Sequence, residues 1–230
     1  MRNNINLNTA KKSVPVSQPM FSVVITTHNR ESLLKRALNS LILQKEKDWE
    51  AIIVDDGSTD STYENIRPLI DSCLPIRYFR KPHSGAIPSR NFGIKASRGR
   101  FVTFLDSDDE YDPRHLIYRK KYIERNPSAG FLYGGVKITG NQYVPDKNNP
   151  SKRINLKDCV IGGTFVIERE ILLSLNGFRV ITLGSDSDLF HRLKKTGIEM
   201  AEIKLPTYIY HRENQDSITN KLLKGVSAVY

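Results

Sequence analysis

Phe101-Val102-Thr103-Phe104-Leu105-Asp106-Ser107-Asp108-Asp109 is an apolar, β-type run that ends abruptly in three carboxylates. β-Branched and aromatic residues suit a buried strand. Clustered carboxylates repel one another and are costly to bury unless a cation or hydrogen-bond donors meet them. The junction therefore reads as the carboxyl end of a strand that delivers Asp-x-Asp to solvent. Such an end is a natural seat for a divalent ion gripping a diphosphate.

Working outward, strand and helix patterns alternate. Phe21 to Thr27 is a β-rich apolar run. Leu33, Leu34, Ala37, Leu38, Leu41 and Ile42 then fall on one helical face, with Asn29 as N-cap and Glu31 in the first turn. Ala51 to Val54 is a second buried strand, and a helix follows from about Ser61 to Ser72, bent or shortened at Pro68. Ile76 to Arg80 is a short strand. Ser89 to Ala96 is a helix with Asn91 and Gly93 near its start. Runs of this kind with continuous apolar strands predict a mostly parallel α/β sheet covered on both faces. Ligands collect at the carboxyl ends of such strands. Three polar clusters stand at three such ends: Thr27-His28-Asn29-Arg30, Asp55-Asp56-Gly57-Ser58 and Asp106-Ser107-Asp108-Asp109. They predict one nucleotide-sized site built from the first half of the chain.

The second half changes character. Gly130 to Ile138 and Gly163 to Glu168 read as strands, separated by a polar stretch, Thr139 to Lys157, that reads as a mobile loop over the site. Asp188 to Thr196 is helical and closed by Gly197, and Pro206 to His211 is a last short strand. Met1 to Pro19 is polar, Asn-rich and basic, and reads as a disordered lead-in with no apolar centre of the kind a signal peptide needs. The boundaries expected are a single domain over 20–211, with a nucleotide-binding half (20–110) and an acceptor-binding half (111–211), and a tail over 212–230.

With 230 residues, 39% of them hydrophobic, the chain can bury a core, and no apolar run is long enough to predict a transmembrane helix. The net charge of +10 is spread along the chain and is not gathered into a tract interleaved with aromatics, which argues against a nucleic-acid partner. The densest basic stretch, Arg114, Arg119, Lys120, Lys121 and Arg125, reads as the wet side of a helix. An anionic membrane face or a phosphate-bearing substrate stays open as a use for the rest of the charge. Cys73 and Cys159 lack metal-ligand spacing and read as buried free thiols in a reducing cytoplasm.

Five ordered motifs together resemble a family 2 glycosyltransferase of the GT-A fold: Val-Val-Ile-Thr-Thr-His-Asn-Arg (23–30), Ile-Ile-Val-Asp-Asp-Gly-Ser-Thr-Asp (52–60), Ser-Arg-Asn-Phe-Gly-Ile-Lys-Ala-Ser-Arg-Gly (89–99), Phe-Leu-Asp-Ser-Asp-Asp (104–109) and Gly-Ser-Asp-Ser-Asp-Leu-Phe-His-Arg-Leu (184–193). The resemblance implies a Rossmann-like, mostly parallel central sheet flanked by helices. It also implies an inverting, metal-dependent transferase that moves a sugar from a nucleotide donor, UDP-linked by expectation, to a saccharide or lipid-linked acceptor in polysaccharide or surface-glycan synthesis. Thr27, His28 and Arg30 then lie on the nucleotide side, with His28 where the family usually has tyrosine. A loop histidine capping the following helix is the plainer alternative. Asp56 matches the carboxylate that accepts the base imide N–H, and Asp55 braces the turn or assists it. Arg90 falls near the donor phosphates, although a surface salt bridge would also explain it. Asp106 lies near ribose and metal, and Asp108 on Mn²⁺ or Mg²⁺. Asp109 is assigned to a helix N-terminus near Tyr111.

Asp186 matches the general base, with a helix N-cap as its competing role, and Ser185 replaces the family's usual glutamate. Gly162, Gly163 and Thr164, with Asn176-Gly177-Phe178, resemble acceptor-side segments, and His211-Arg212 with Asp216-Ser217-Ile218 the closing loop. A cytoplasmic enzyme, peripheral at the inner face of a membrane, is the implied setting. Two rival classes remain. A sugar-phosphate nucleotidyltransferase would want a glycine-rich loop after the first strand, and 26–30 contains no glycine. A carbohydrate-binding or membrane-docking module without turnover would have no need of both Asp108 and Asp186.

Overall fold

The computed structural model describes residues 18–146, 149, 151–181 and 183–213. Most of the expected lead-in, and the tail with Asp216, Ser217 and Ile218, lie outside the described residues. The first half runs β1 (Phe21–Thr27), α1 (Glu31–Ile42), β2 (Trp49–Asp55), α2 (Thr62–Ile70), β3 (Ile76–Arg80), α3 (Ala86–Ala96) and β4 (Phe101–Phe104). There follow β5 (Glu110–Tyr111), α4 (His115–Arg125), β6 (Ala129–Tyr133), β7 (Val136–Gly140), β8 (Tyr143–Pro145) and β9 (Arg153–Asn155). The chain then forms β10 (Val166–Glu168), α5 (Arg169–Ser174), α6 (Ser185–Lys195), β11 (Glu199–Glu202) and β12 (Tyr208–Arg212).

Seven strands form the main sheet in the order β11-β6-β10-β4-β1-β2-β3. β1 runs parallel to both neighbours, with Thr27 opposite Asp55 and Val24 opposite Phe104. Only β10 is antiparallel to its neighbours. Alternate side chains feed two cores. Phe21, Val23 and Ile25 pack with Leu34, Leu38, Ile66 and Leu116 from α1, α2 and α4. Val24, Ile52 and Val54 pack with Ile94, Leu172 and Leu189 from α3, α5 and α6. Both faces are therefore covered, which is why the strands read as unbroken apolar runs. From β1 the chain goes to β2 on one side and reaches β4 on the other, so a crevice opens at the carboxyl ends of β1 and β4.

Several expectations change. The run from Gly130 to Ile138 is two strands, broken where Gly134 and Gly135 take φ of 84° and 77°. β6 stays in the main sheet, and β7 joins a second sheet in the order β5-β12-β7. The polar 139–157 stretch holds the end of β7 and a small β8–β9 hairpin in place of a plain loop. Residues 163–165 precede β10, and 162–164 form a 3₁₀ turn. α3 starts at Ala86, not Ser89: Pro88 sits in the first turn, where its missing N–H costs nothing. Gly93 is thus mid-helix, and a Cβ there would meet Val24 at 2.4 Å. Asn29 does not cap α1. It takes φ 52° and its Oδ1 accepts from the Thr59 amide at 2.8 Å, tying the β1 loop to the β2 loop.

α6 begins at Ser185 in place of Asp188, behind Gly184 in the left-handed region. Arg119 is not on a wet face: it is fully buried, donating to the His115 and Gly134 carbonyls and to Thr207 Oγ1. Burial draws its pKa down to about 10. Neither cysteine is buried: Cys73 is exposed and Cys159 half-buried, both as free thiols. Among the described residues no helix is long and apolar enough to cross a membrane.

Candidate active site

The carboxyl end of β4 and the start of α6 meet through one arginine. Arg90, on α3, donates to Asp106 Oδ1 at 2.6 Å and to Asp186 Oδ1 at 3.3 Å. Its guanidinium lies 5.0 Å from the Phe178 ring centroid and 5.5 Å from that of Phe104. Its side chain is 11% exposed, so the pair is more than a surface salt bridge. Burial opposes its charge, but Asp106 and Asp186 more than compensate and hold its pKa above the usual value. Asn91, one residue along α3, fixes Phe178 beneath it: Asn91 Nδ2 donates to the Phe178 carbonyl at 2.8 Å, and the Phe178 amide returns a bond at 2.9 Å.

Asp186 is the second residue of α6, not its N-cap. Its Oδ2 accepts from the Gly162 amide at 2.9 Å, while Oδ1 faces Arg90. Burial raises its pKa above the usual carboxylate value, Arg90 and the Gly162 amide pull it back, and Asp106 adds to the rise. Each carboxylate oxygen keeps a lone pair beyond these bonds. The turn at 162–164 is fitted to it. A Cβ on Gly162 would lie 2.4 Å from Asp186 Oδ1, and one on Gly163 would lie 2.3 Å from the Tyr208 hydroxyl. Thr164 is buried and spent inside the turn, donating to the Ile161 carbonyl at 2.7 Å and accepting from the Gly134 amide at 3.0 Å. Ser185 is half-buried, its hydroxyl 3.5 Å from the Ile181 carbonyl.

The three carboxylates after β4 diverge. Asp106 faces Arg90. The Asp108 carbonyl accepts from Arg36 on α1, which reaches the loop from behind and also pairs with Glu110 at 3.6 Å. Asp109 turns inward and is 1% exposed. It is bound by no helix N-terminus near Tyr111. It accepts instead from the Tyr208 hydroxyl at 2.7 Å and the His211 amide at 2.9 Å, both on β12. Burial, with Asp106 and Asp108 close by, pushes its carboxyl well above the ordinary range.

On the nucleotide side Asp56 is saturated from within. It accepts from Lys81 Nζ at 2.6 Å, Ser89 Oγ at 2.8 Å, and the Ser84 and Gly85 amides at 3.0 and 2.8 Å, with His83 Nδ1 at 2.8 Å. Burial alone would raise its pKa; the Lys81 and Ser89 side chains and these amides outweigh it and bring it below the usual value. A base imide reaching this carboxylate has to share or displace a donor. Asp55 braces the turn, accepting from the Ser58 amide at 2.8 Å and from the Tyr78 hydroxyl. His28 stacks on His83 with ring centroids 4.3 Å apart. Its Nδ1 lies 2.9 Å from the Asp56 carbonyl, which only accepts, so that nitrogen carries the proton. Thr27 is buried, its hydroxyl without a hydrogen-bond partner among the described residues, and the Arg30 amide donates to Thr62 Oγ1 at 3.0 Å.

A sequence model of glycosyl transferase family 2 matches residues 22–181, which include the β1, β2 and β4 strand ends and Arg90. The chain belongs to glycosyl transferase family 2. Among curated relatives it is 29% identical over 158 residues to an Escherichia coli protein named UDP-Glc:alpha-D-GlcNAc-diphosphoundecaprenol beta-1,3-glucosyltransferase WfgD, covering 66% of this chain and 62% of that one. It is 29% identical over 229 residues to the Campylobacter jejuni GalNAc(5)-diNAcBac-PP-undecaprenol beta-1,3-glucosyltransferase, covering 92% and 71%. A Rickettsia felis glycosyltransferase is 36% identical over 119 residues, covering 52% of this chain but only 19% of its own length. Staphylococcus aureus TarS in complex with UDP-GlcNAc superposes with a TM-score of 0.71 at 22% identity, over 84% of this chain and 59% of TarS. That likeness establishes the GT-A fold.

For this family 2 chain, sequence reasoning missed Gly162 as the partner of Asp186, Lys81 and His83 on Asp56, and Tyr208. The glycine pair at 162–163 was a usable signal, since two adjacent glycines mark close approach of other groups. Among the described residues no three His, Cys, Asp or Glu side chains converge as a metal cage. Asp106 and Asp108 nevertheless offer hard carboxylate oxygens at one strand end. That donor set fits an ion such as Mg²⁺ or Mn²⁺, which keeps waters and completes its shell with diphosphate oxygens.

Proposed function

We propose that the chain is an inverting glycosyltransferase that takes a sugar from a UDP-linked donor and places it on a saccharide carried by a lipid diphosphate, in surface-glycan synthesis at the cytoplasmic face of a membrane. The observation that carries this reading is the Arg90 bridge, which sets the donor-side Asp106 and the candidate base Asp186 on two sides of one guanidinium. The E. coli and Campylobacter relatives, named for glucosyl transfer to undecaprenyl diphosphate-linked sugars, support the acceptor class, and the first is also named for UDP-glucose.

In this reading Asp186 accepts the acceptor hydroxyl proton as the oxygen bonds to the anomeric carbon, and the bond from that carbon to the diphosphate breaks, its electron pair leaving with UDP. The raised pKa of Asp186 suits it to that task. Arg90 orients the carboxylate and lends positive charge toward the departing diphosphate. Thr27, His28 and Arg30, with Asp56 and its donors, form the nucleoside end, and Gly163, Thr164 and Ser185 border the acceptor. Asp108, with Asp106, would hold Mn²⁺ or Mg²⁺, which when bound neutralises charge on the diphosphate.

Calorimetric titration with UDP, GDP, dTDP and CDP, each with and without Mn²⁺, tests this. UDP binding that requires Mn²⁺ is expected, and Asp108→Ala should remove the metal-dependent part. Binding of none of the four, or metal-dependent UDP affinity unchanged in Asp108→Ala, would refute the assignment.

A further inference from the structure

Tyr208 opens β12, outside the five motifs of the sequence, and is completely buried. Its hydroxyl donates to Asp109 Oδ2 at 2.7 Å, lies 3.4 Å from Asp106 Oδ2, and is also 3.4 Å from the Asp106 amide, which points its N–H at it. One phenol thus touches two of the three carboxylates that follow β4. A phenol has a single proton, so the short bond belongs to Asp109 and Asp106 is contacted chiefly through its amide. The other oxygen of Asp109 takes the His211 amide at 2.9 Å, which locks the carboxylate onto β12.

The same hydroxyl end of the ring also faces the acceptor-side turn. Gly163 packs so closely that an added Cβ would lie 2.3 Å from both Cζ and the hydroxyl oxygen. The neighbouring residue, Gly162, donates its amide to Asp186. A continuous path therefore runs from the aspartate loop through Asp109 and Tyr208 to the turn that holds the candidate base. Ring packing alone, against Tyr111 at 5.8 Å and His115 at 6.2 Å, would be met by phenylalanine. The buried hydroxyl needs its partners, since an unbonded one would be costly.

Resting on the glycosyltransferase reading above, we infer that Tyr208 is a positioning residue: its hydroxyl fixes the spacing between the donor-side aspartate loop and the turn whose Gly162 amide holds Asp186. Without it, Asp109 keeps one donor and sits beside two like charges, and the loop loses its brace.

The test uses the full chain as wild type, Tyr208→Phe, and Tyr111→Phe. The last deletes a buried hydroxyl of the same aromatic cluster whose bonds, among the described residues, go to Thr103 and the Phe104 carbonyl. Calorimetry gives UDP affinity across a Mn²⁺ titration, and melting curves give stability. In Tyr208→Phe, UDP affinity at saturating Mn²⁺ should hold within about twofold. The Mn²⁺ concentration for half-maximal UDP binding should rise roughly ten- to a hundredfold, the range for one lost hydrogen bond to a charged group. Tyr111→Phe should lose melting temperature without that rise. Gly163→Ala, which keeps the hydroxyl but pushes its ring, should move the Mn²⁺ requirement in the same direction as Tyr208→Phe. An unchanged Mn²⁺ requirement in Tyr208→Phe, or an equal rise in Tyr111→Phe, would overturn the inference while leaving the proposed function intact. Wild-type protein that binds no nucleoside diphosphate would overturn both.

Discussion

Gly162→Ala is a single methyl placed against the candidate base. The added carbon would lie 2.4 Å from Asp186 Oδ1, 2.5 Å from its Cγ and 2.7 Å from Oδ2. Heavy atoms are comfortable near about 3.5 Å, so the carboxylate has to retreat by roughly 1 Å. It cannot do so and keep both the Gly162 amide at 2.9 Å and Arg90 at 3.3 Å. A misplacement of about 1 Å at the reacting centre costs on the order of a hundredfold in rate, or about 2.7 kcal/mol of barrier. The scaffold should tolerate the change. Gly162 is not among the glycines with positive φ, and alanine there restricts the unfolded chain, worth about 0.4–1 kcal/mol in favour of folding. The assay is UDP release from the UDP-sugar that the wild type turns over, in the presence of a saccharide carried on a lipid diphosphate, with UDP affinity and melting temperature measured on the same preparations. The expected result is kcat down about a hundredfold with UDP affinity kept. A kcat within about threefold of wild type, with the fold intact, would refute the placement of Asp186 as the group that the turn holds for chemistry.

Asp186→Asn should bind UDP as wild type does and lose kcat by about 10²–10⁴-fold, the span for a general acid or base. In the wild type, the acid limb of the kcat profile should fall above the ordinary aspartate value of 3.8, because burial raises the Asp186 pKa and the base must be ionised to work. A limb at or below that value would contradict the burial argument. Stability should carry a separate pH signature from His115. Burial, with Arg119 alongside, holds its pKa well below the ordinary histidine value of 6.5. The unfolded state therefore takes up the proton first, and stability rises with pH through that window. The contribution is complete above pH 6.5 and is lost as pH falls from there toward the lower folded value. Melting curves from pH 8 to 5 should show that loss in the wild type and a flatter profile in His115→Phe, which keeps a ring for stacking on Tyr111; parallel profiles would assign the acid sensitivity elsewhere.

Three strand ends were legible because the signal is local. An apolar run that stops in Asp, Asn or His marks both the strand and its solvated end, and parallel strands covered on both faces advertise themselves by their length of apolar sequence. β5 and β11 were not legible. The first has two residues, and the second is a half-exposed edge strand with charged Glu199 and Glu202 at its ends, so neither carries a hydrophobic period. Arg119 misled for a related reason: position on a basic helix face suggests solvent, while burial is decided by what the β6–β7 turn and Thr207 bring to it.

The sequence by itself determined which residue types were available for chemistry, the order of the motifs and the alternation that makes a mostly parallel sheet. Tertiary structure alone decided who meets whom. It put Arg90 on Asp186 across 96 positions, turned Asp109 inward to Tyr208 and saturated Asp56 with donors from the segment after β3. Local preferences fix strands and helices within a few residues, whereas such contacts exist only once two hydrophobic cores have closed on the sheet and brought distant strand ends to one rim.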